Sequence, residues 1–185
     1  MCQTGYLTIC TPYESGTTLK LKIPNYEVKK ALYRLLSFKT FGVEAQLDYE
    51  YKQLLEHGTV QDIFNIFNKL VKSVSYEKYP LTNESVLRSF LQAFLIGVGL
   101  RVLAEHHNSK GRSDLEIDYF NRRIVIELKF AKDSTEVQAK LKTAVQQIKE
   151  RDYGNTLPRA SELLRIALIF DGIKKNLQPL KRFDK

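Results

Sequence analysis

Two neighbouring segments decide how this sequence is read: Gly111-Arg112-Ser113-Asp114-Leu115-Glu116-Ile117 and Ile124-Val125-Ile126-Glu127-Leu128-Lys129-Phe130. In the second, Ile124, Ile126, Leu128 and Phe130 alternate with Val125, Glu127 and Lys129. Strand geometry of period two therefore sets both charges on one face, about 7 Å apart along the chain. A Glu and a Lys inside an otherwise apolar strand are costly to bury unpaired, and such a break in local patterning marks a functional site. Strands are predicted from Leu115 to Tyr119 and from Ile124 to Phe130, joined by a tight turn at Asn121-Arg122. If they pair as a hairpin, Asp114 approaches the Glu127 end of its neighbour. Two converging carboxylates repel unless a cation lies between them. Oxygen-only ligands favour a hard ion such as Mg²⁺ or Mn²⁺. A lysine beside that ion can orient the attacking water or stabilise charge on a transferring phosphate. The expectation is metal-assisted phosphodiester hydrolysis. Asp-x₁₂-Glu-x-Lys by itself also describes a solvated strand face; its place inside an apolar strand is what favours the site.

Working outward, Thr82 or Asn83 can cap a helix carrying Val86, Leu87, Phe90, Leu91, Phe94 and Leu95, with Gly97 and Gly99 ending it. Arg101 to His106 reads as a strand, followed by the polar loop Asn108-Ser109-Lys110-Gly111. Beyond the hairpin, Ser134 is expected to cap a helix through roughly Asp152, with Val137, Leu141, Val145 and Ile148 inward. Leu164 to Phe170 is continuously apolar and reads as a central strand. The N-terminal third predicts a hairpin of Tyr6–Ile9 and Leu19–Ile23, turned at Pro12, Ser15 and Gly16. Three helices follow: Asn25 to Phe41, Glu44 to Glu56, and one beginning at Val60 with Ile63, Phe64, Phe67, Leu70 and Val71 at helical spacing. Nothing before Pro80 has the texture of a chemical site.

Asp114 and Glu127-Leu128-Lys129, behind a helix with an acidic residue and ahead of a helix and a strand, resemble the PD-(D/E)xK nuclease superfamily. The chain is similar, over nearly its whole length, to the C-terminal nuclease region of bacterial AAA-ATPase-like proteins. That likeness is carried by Gln3-Thr4-Gly5-Tyr6-Leu7-Thr8-Ile9, Ile23-Pro24-Asn25-Tyr26-Glu27-Val28 and Asn83-Glu84. It continues through Gly111 to Asp114, Ile126 to Lys129, Gln147-Ile148-Lys149 with Tyr153, and Leu168 to Gly172. Ser113 stands where many members have proline, and Tyr153 follows Gln147 by six residues rather than four. The resemblance implies an α/β, restriction-endonuclease-like αβββαβ core with a mixed central sheet flanked by helices, preceded by a β-hairpin and helical region. Residues 1–80 would form that N-terminal part and residues 81–185 the nuclease-like core, together one unit. It further implies that Asp114, Glu127, the Leu128 carbonyl and Glu84 hold Mg²⁺ or Mn²⁺. Lys129 would position the nucleophilic water, and Gln147 would border the site and contact substrate or orient Lys129. The substrate would be nucleic acid, DNA rather than RNA. No Gly-x₄-Gly-Lys-Ser/Thr is present, so ATP is not expected to bind by such a loop. An ATPase acting in trans and a second copy of the chain are the protein partners this resemblance leaves open. A catalytically silent nuclease-fold module for nucleic-acid or protein binding, a remnant separated from its ATPase, is the alternative.

Composition agrees with a globular chain: 185 residues, 43% hydrophobic and 27% charged. No apolar run reaches the roughly 18 residues of a membrane span, and the first ten residues lack a basic-then-apolar signal. Two cysteines without zinc spacing fit a reducing, cytoplasmic setting. The net charge of +8 is unevenly spread: residues 108–185 carry +6 of it. That half holds the proposed site, so the surplus reads as a basic surround for an acidic pocket. Among lesser candidates, His106 and His107 read as a surface pair, with His106 or Glu105 able to graze the site. Glu116 and Asp118 share Asp114's face and read as solvated carboxylates ahead of ligands for a second ion. Asp171-Gly172 reads as a strand-ending turn. Lys174, Lys175, Lys181 and Arg182 read as a basic tail, either a phosphate contact or a plain solubilising end.

Overall fold

The computed structural model describes residues 5–10, 20–41, 47–108, 110–155 and 160–178. Two short antiparallel strands open it, β1 (Thr8–Ile9) and β2 (Leu21–Lys22), with Thr8 opposite Lys22. They confirm the hairpin in shortened form; its turn residues Pro12, Ser15 and Gly16 lie outside the described residues. Helix α1 (Tyr26–Phe41) begins where Asn25 Oδ1 accepts the Val28 amide at 2.9 Å. Helix α2 (Leu47–His57) covers most of the second expected helix, whose residues 44–46 are not described. Gly58 turns the chain sharply: a Cβ there would lie 2.2 Å from the Leu54 carbonyl oxygen, so no larger residue fits.

Helix α3 (Val60–Lys72) starts with a reciprocal cap. Thr59 Oγ1 accepts the Asp62 amide at 3.2 Å, and Asp62 Oδ2 accepts the Thr59 amide at 2.7 Å. Seven of its side chains are buried, from Val60 to Val71. Helix α4 (Glu84–Gly97) is capped by Asn83, not Thr82: Asn83 Oδ1 accepts the Val86 amide at 3.0 Å. Asn83→Ala is therefore expected to lower stability by about 1 kcal/mol, measurable as a reduced urea midpoint with unchanged slope.

The main sheet has the order β3-β4-β5-β6-β7. Strands β3 (Arg101–Asn108), β4 (Gly111–Tyr119) and β5 (Arg122–Ala131) run antiparallel in sequence. Helix α5 (Val137–Arg151) then crosses over, so β6 (Glu162–Asp171) pairs parallel to β5, in register from Arg122↔Glu162 to Ala131↔Asp171. The order of α4, three strands, α5 and β6 is the expected αβββαβ core, with a mixed sheet flanked by helices.

Three local expectations are corrected. The hairpin turn falls at Phe120-Asn121, with Phe120 at φ 51°, and β5 already begins at Arg122. Ser134 does not cap α5: the helix starts after Glu136 without a side-chain cap, and Ser134 Oγ instead donates to Asp171 Oδ2 at 2.6 Å. A further strand, β7 (Asn176–Gln178), pairs antiparallel with β6. Its one apolar residue, Leu177, is buried, and the Leu177 amide donates to Asn68 Oδ1 of α3 at 3.0 Å. Lys174 and Lys175 thus belong to the β6–β7 turn, where the Lys175 ammonium lies 4.8 Å from the Tyr76 ring centre; Lys181 and Arg182 are not described.

Alternation along β5 divides the apolar side chains between two layers. Ile124, Ile126 and Leu128 join a cluster with Phe64 and Phe67 of α3, Leu91 and Phe94 of α4, and Ile166 and Leu168 of β6. Val125 and Ala131 face Leu141, Ala144 and Ile148 of α5. No helix among the described residues is long and apolar enough to cross a membrane.

Candidate active site

The β4–β5 ladder runs from Tyr119↔Arg122 to Leu115↔Ile126. Beyond that pair a side chain takes the place of the backbone: Asp114 Oδ2 accepts the Leu128 amide at 2.9 Å. The N–H and C=O of one strand residue point to the same edge, so the Leu128 carbonyl lies on this edge too. At the matching point of β3, between the pairs Ala104↔Leu115 and His106↔Ser113, Glu105 has φ 52°. Non-glycine residues seldom occupy that left-handed region. The strands thus part where Asp114 stands.

Into this opening β5 delivers Glu127 and Lys129, and the first turn of α4 delivers Glu84. Lys129 Nζ donates to Glu127 Oε1 at 2.8 Å and to Glu84 Oε1 at 3.4 Å. Glu127 is 3% exposed, and its Oε2 is buried without a hydrogen-bond partner among the described residues. Burial first, and then the charge of Asp114, push its carboxyl up to about 7. Burial alone would lower the Lys129 ammonium, but its hydrogen bond to Glu127 and the charges of Glu127, Glu84 and Asp114 outweigh this and hold it above its ordinary value. The expectation that Glu127 and Lys129 share one face, with Asp114 close enough to be felt, describes the geometry found.

The shift of Glu127 predicts a pH dependence. Its folded value lies above the unfolded one, so the native state binds the proton more tightly and stability falls as pH rises from about 4.5 through 7. The contribution is on the order of 3 kcal/mol. Denaturant melts in EDTA across that range should show the decline, and Glu127→Gln should flatten it and be the more stable protein at pH 8.

Gln147 lies on α5, and its Oε1 is buried with no partner among the described residues. The structure therefore does not join it to Lys129 by a hydrogen bond through that oxygen. Tyr153 is fully buried; burial raises its hydroxyl, and the charges of Glu127 and Asp114 add to the rise, which sets it within electrostatic reach of the site. Arg151 Nη1 donates to the Tyr153 hydroxyl at 2.9 Å.

Several of the lesser candidates are placed differently from expectation. Glu116 is not solvated: it is 3% exposed, accepting from Ser113 Oγ at 2.7 Å, with His106 Nδ1 at 3.1 Å. His106 is therefore half-buried and partnered, while His107 is exposed. Asp118 pairs with the buried Arg123 at 2.6 Å. Asp171 does end β6 as expected, but as a buried hub whose Oδ1 accepts the amides of Ile173 and Lys174.

One residue escaped the sequence reading. Arg88 Nη1 donates to Asp114 Oδ1 at 2.9 Å, and its Nη2 lies 3.0 Å from Glu105 Oε1. Its signal was available: Arg88 stands four residues after Glu84, the spacing that puts two side chains on one helix face.

Oxygen donors, one of them buried without a partner among the described residues, suit a hard divalent ion. Among the described residues, however, no three His, Cys, Asp or Glu side chains are gathered closely enough to hold an ion together. Arg88 and Lys129 supply the positive charge between the carboxylates.

An antiparallel β-hairpin bearing Asp and Glu-x-Lys, between a helix with an acid and a crossover helix, defines a nuclease-like α/β core. A family model of the PD-(D/E)XK nuclease superfamily matches residues 82–179, just over half of the chain, and the protein belongs to that superfamily. Its members are generally nucleases that act on nucleic acid and typically use divalent metal ions. No curated protein matches the chain.

Proposed function

We propose that this protein is a divalent-metal-dependent nuclease hydrolysing phosphodiester bonds, in DNA rather than RNA. The observation carrying the reading is Glu127: a buried carboxylate with one oxygen unpartnered among the described residues, the other on Lys129, raised to about 7 by burial and by Asp114. Asp114, Glu127, the Leu128 carbonyl and Glu84 would hold Mg²⁺ or Mn²⁺. When bound, such an ion polarises the phosphate and acidifies a water.

The chain's own groups do the rest. Lys129, cationic at neutral pH, donates to the attacking water or to a non-bridging phosphate oxygen, fixing the one and neutralising charge on the other. Water adds its oxygen to phosphorus and gives its proton to solvent, while the ester oxygen departs with the electron pair of the broken P–O bond and takes up a proton from solvent. Gln147 is assigned to the border of the site, where its amide would meet substrate; orienting Lys129 would require its Oε1 to turn onto that ammonium. Six of the eight surplus positive charges lie in residues 108–185, which favours a polyanion. The setting is the reducing cytoplasm. An ATPase recruited in trans and a second copy of the chain are the partners proposed from the likeness to ATPase-linked nucleases.

Incubation with labelled DNA and RNA in Mg²⁺ or Mn²⁺ tests this. DNA cleavage that stops in EDTA is expected; cleavage continuing unchanged in EDTA overturns it. The ion pairs that already engage Asp114, Glu84 and Lys129 favour a second reading, a silent binding module. Stoichiometric, salt-sensitive DNA binding without turnover in Mn²⁺ would establish that instead.

A further inference from the structure

Arg88 is 16% exposed and bridges two carboxylates from neighbouring strands: Asp114 of β4 at 2.9 Å and Glu105 of β3 at 3.0 Å. Asp114 is 12% exposed, and its second oxygen is fixed by the Leu128 amide. Oδ1 is therefore the oxygen Asp114 can offer an incoming cation, and Arg88 already holds it. Two cations within about 4 Å repel in a partly buried place, so a divalent ion and the guanidinium compete for that oxygen. Removing one partner of a buried ion pair is normally costly, because the other charge is left uncompensated. Arg88 escapes that cost through its second anchor, Glu105, which is 40% exposed and also paired with Arg112 at 3.1 Å. The left-handed backbone of Glu105 belongs to the point where this second anchor meets the fork between the strands.

We infer that Arg88 is a built-in counter-ion that competes with the divalent ion for Asp114, falls back on Glu105 when displaced, and so sets the metal concentration at which the site loads. The inference rests on the reading of Asp114 as a metal ligand, and Arg88 acts through Asp114 as a positioning residue.

Mn²⁺ binding to the full chain, followed by loss of the free-ion electron paramagnetic resonance signal, tests it without any cleavage assay. Arg88→Gln is expected to bind Mn²⁺ about tenfold more tightly than wild type, equivalent to about 1.4 kcal/mol. Arg88→Lys, which keeps the charge, should stay near wild type. Equal or weaker binding by Arg88→Gln overturns the inference, since a residue that merely orients Asp114 would lower affinity when lost. Asp114→Asn separates the two levels of argument. Wild-type binding that survives Asp114→Asn unchanged removes the metal-ligand reading itself, and the role of Arg88 with it. If Arg88→Gln does not fold, the wild type answers alone. Saturating Mg²⁺ should speed exchange of the Arg88 guanidinium protons, assigned by their loss in Arg88→Lys, and unchanged exchange overturns displacement.

Discussion

Lys129→Ala is expected to reduce Mg²⁺-dependent cleavage by on the order of 10³, the scale for losing a group aimed at transition-state charge. Glu127→Ala should remove it to the limit of detection. The two losses have different origins. Lys129 Nζ lies 2.8 Å from Glu127 and 3.4 Å from Glu84, so alanine deletes the cation that joins these two carboxylates. It also leaves Glu127, 4% exposed at its side chain, as an unpaired buried acid that will favour the protonated form. Ionisation of Glu127, and with it metal binding, then requires higher pH. Glu127→Ala instead removes a proposed ligand outright, and no increase in pH restores it. Partial recovery of Lys129→Ala at alkaline pH in high Mn²⁺, with none for Glu127→Ala, is the expected pair of outcomes. Both proteins should retain the wild-type circular dichroism spectrum. Folded Lys129→Ala that cleaves within a few-fold of wild type would remove Lys129 from the proposed chemistry.

Residues 81–185, expressed without residues 1–80, are expected not to fold cooperatively, although this segment contains the whole matched region. The helices ahead of it supply one side of the main core. Tyr51 and Leu55 of α2, and Ile63, Phe64, Phe67, Leu70 and Val71 of α3, share a buried cluster with α4 and the sheet. Tyr51 packs edge-on against Phe94, with ring centres 5.1 Å apart. Polar ties cross the same boundary: Arg122 Nη1 donates to the Gly58 carbonyl at 2.8 Å and the Leu55 carbonyl at 3.2 Å, closing the end of α2. Burying one large apolar side chain contributes roughly 1.5–3 kcal/mol, against a net stability of about 5–15 kcal/mol for a typical protein. Removing α2 and α3 exposes the side of the shared cluster that they cover, several such side chains at once. We therefore propose that residues 1–80 and 81–185 form one folding unit. A sharp thermal transition of the isolated 81–185 segment, within a few degrees of the full chain, would show the boundary to be a true domain border.

Where the sequence was legible, the signal was local. Alternation along Ile124 to Phe130 identified β5 and both of its charges, because a strand's side chains change face at each residue. Thr82 or Asn83 ahead of an apolar helical pattern located the start of α4 to within a residue, because capping involves only residues three apart; Glu84 came from the family resemblance. Helix α3 followed in the same way from the apolar spacing of Val60 to Val71, while its reciprocal cap by Thr59 and Asp62 emerged only in the structure. Failures occurred where a residue's partner is remote in sequence. Ser134 has the chemistry of a helix cap, yet it donates to Asp171, 37 residues away. Strand β7 is only three residues long and exists because β6 and Asn68 receive it. Glu116 looked like a solvated acid until the fold closed Ser113 and His106 over it.

Spacing along one helix or hairpin is enough to read the elements of the αβββαβ core in order and to single out Asp114, Glu127 and Lys129 as candidates, but it does not reveal β7 or the exposure of Val86 on α4. How those charges are balanced depends on contacts between elements. Asp114 meets the Leu128 amide because β4 and β5 part at that point, and it meets Arg88 because α4 packs against the β3–β4 edge. Glu127 is raised because burial and a neighbouring carboxylate act on it together. Charge–charge energies depend on distance through space and on exclusion of water, and neither is written in the separation of residues along the chain.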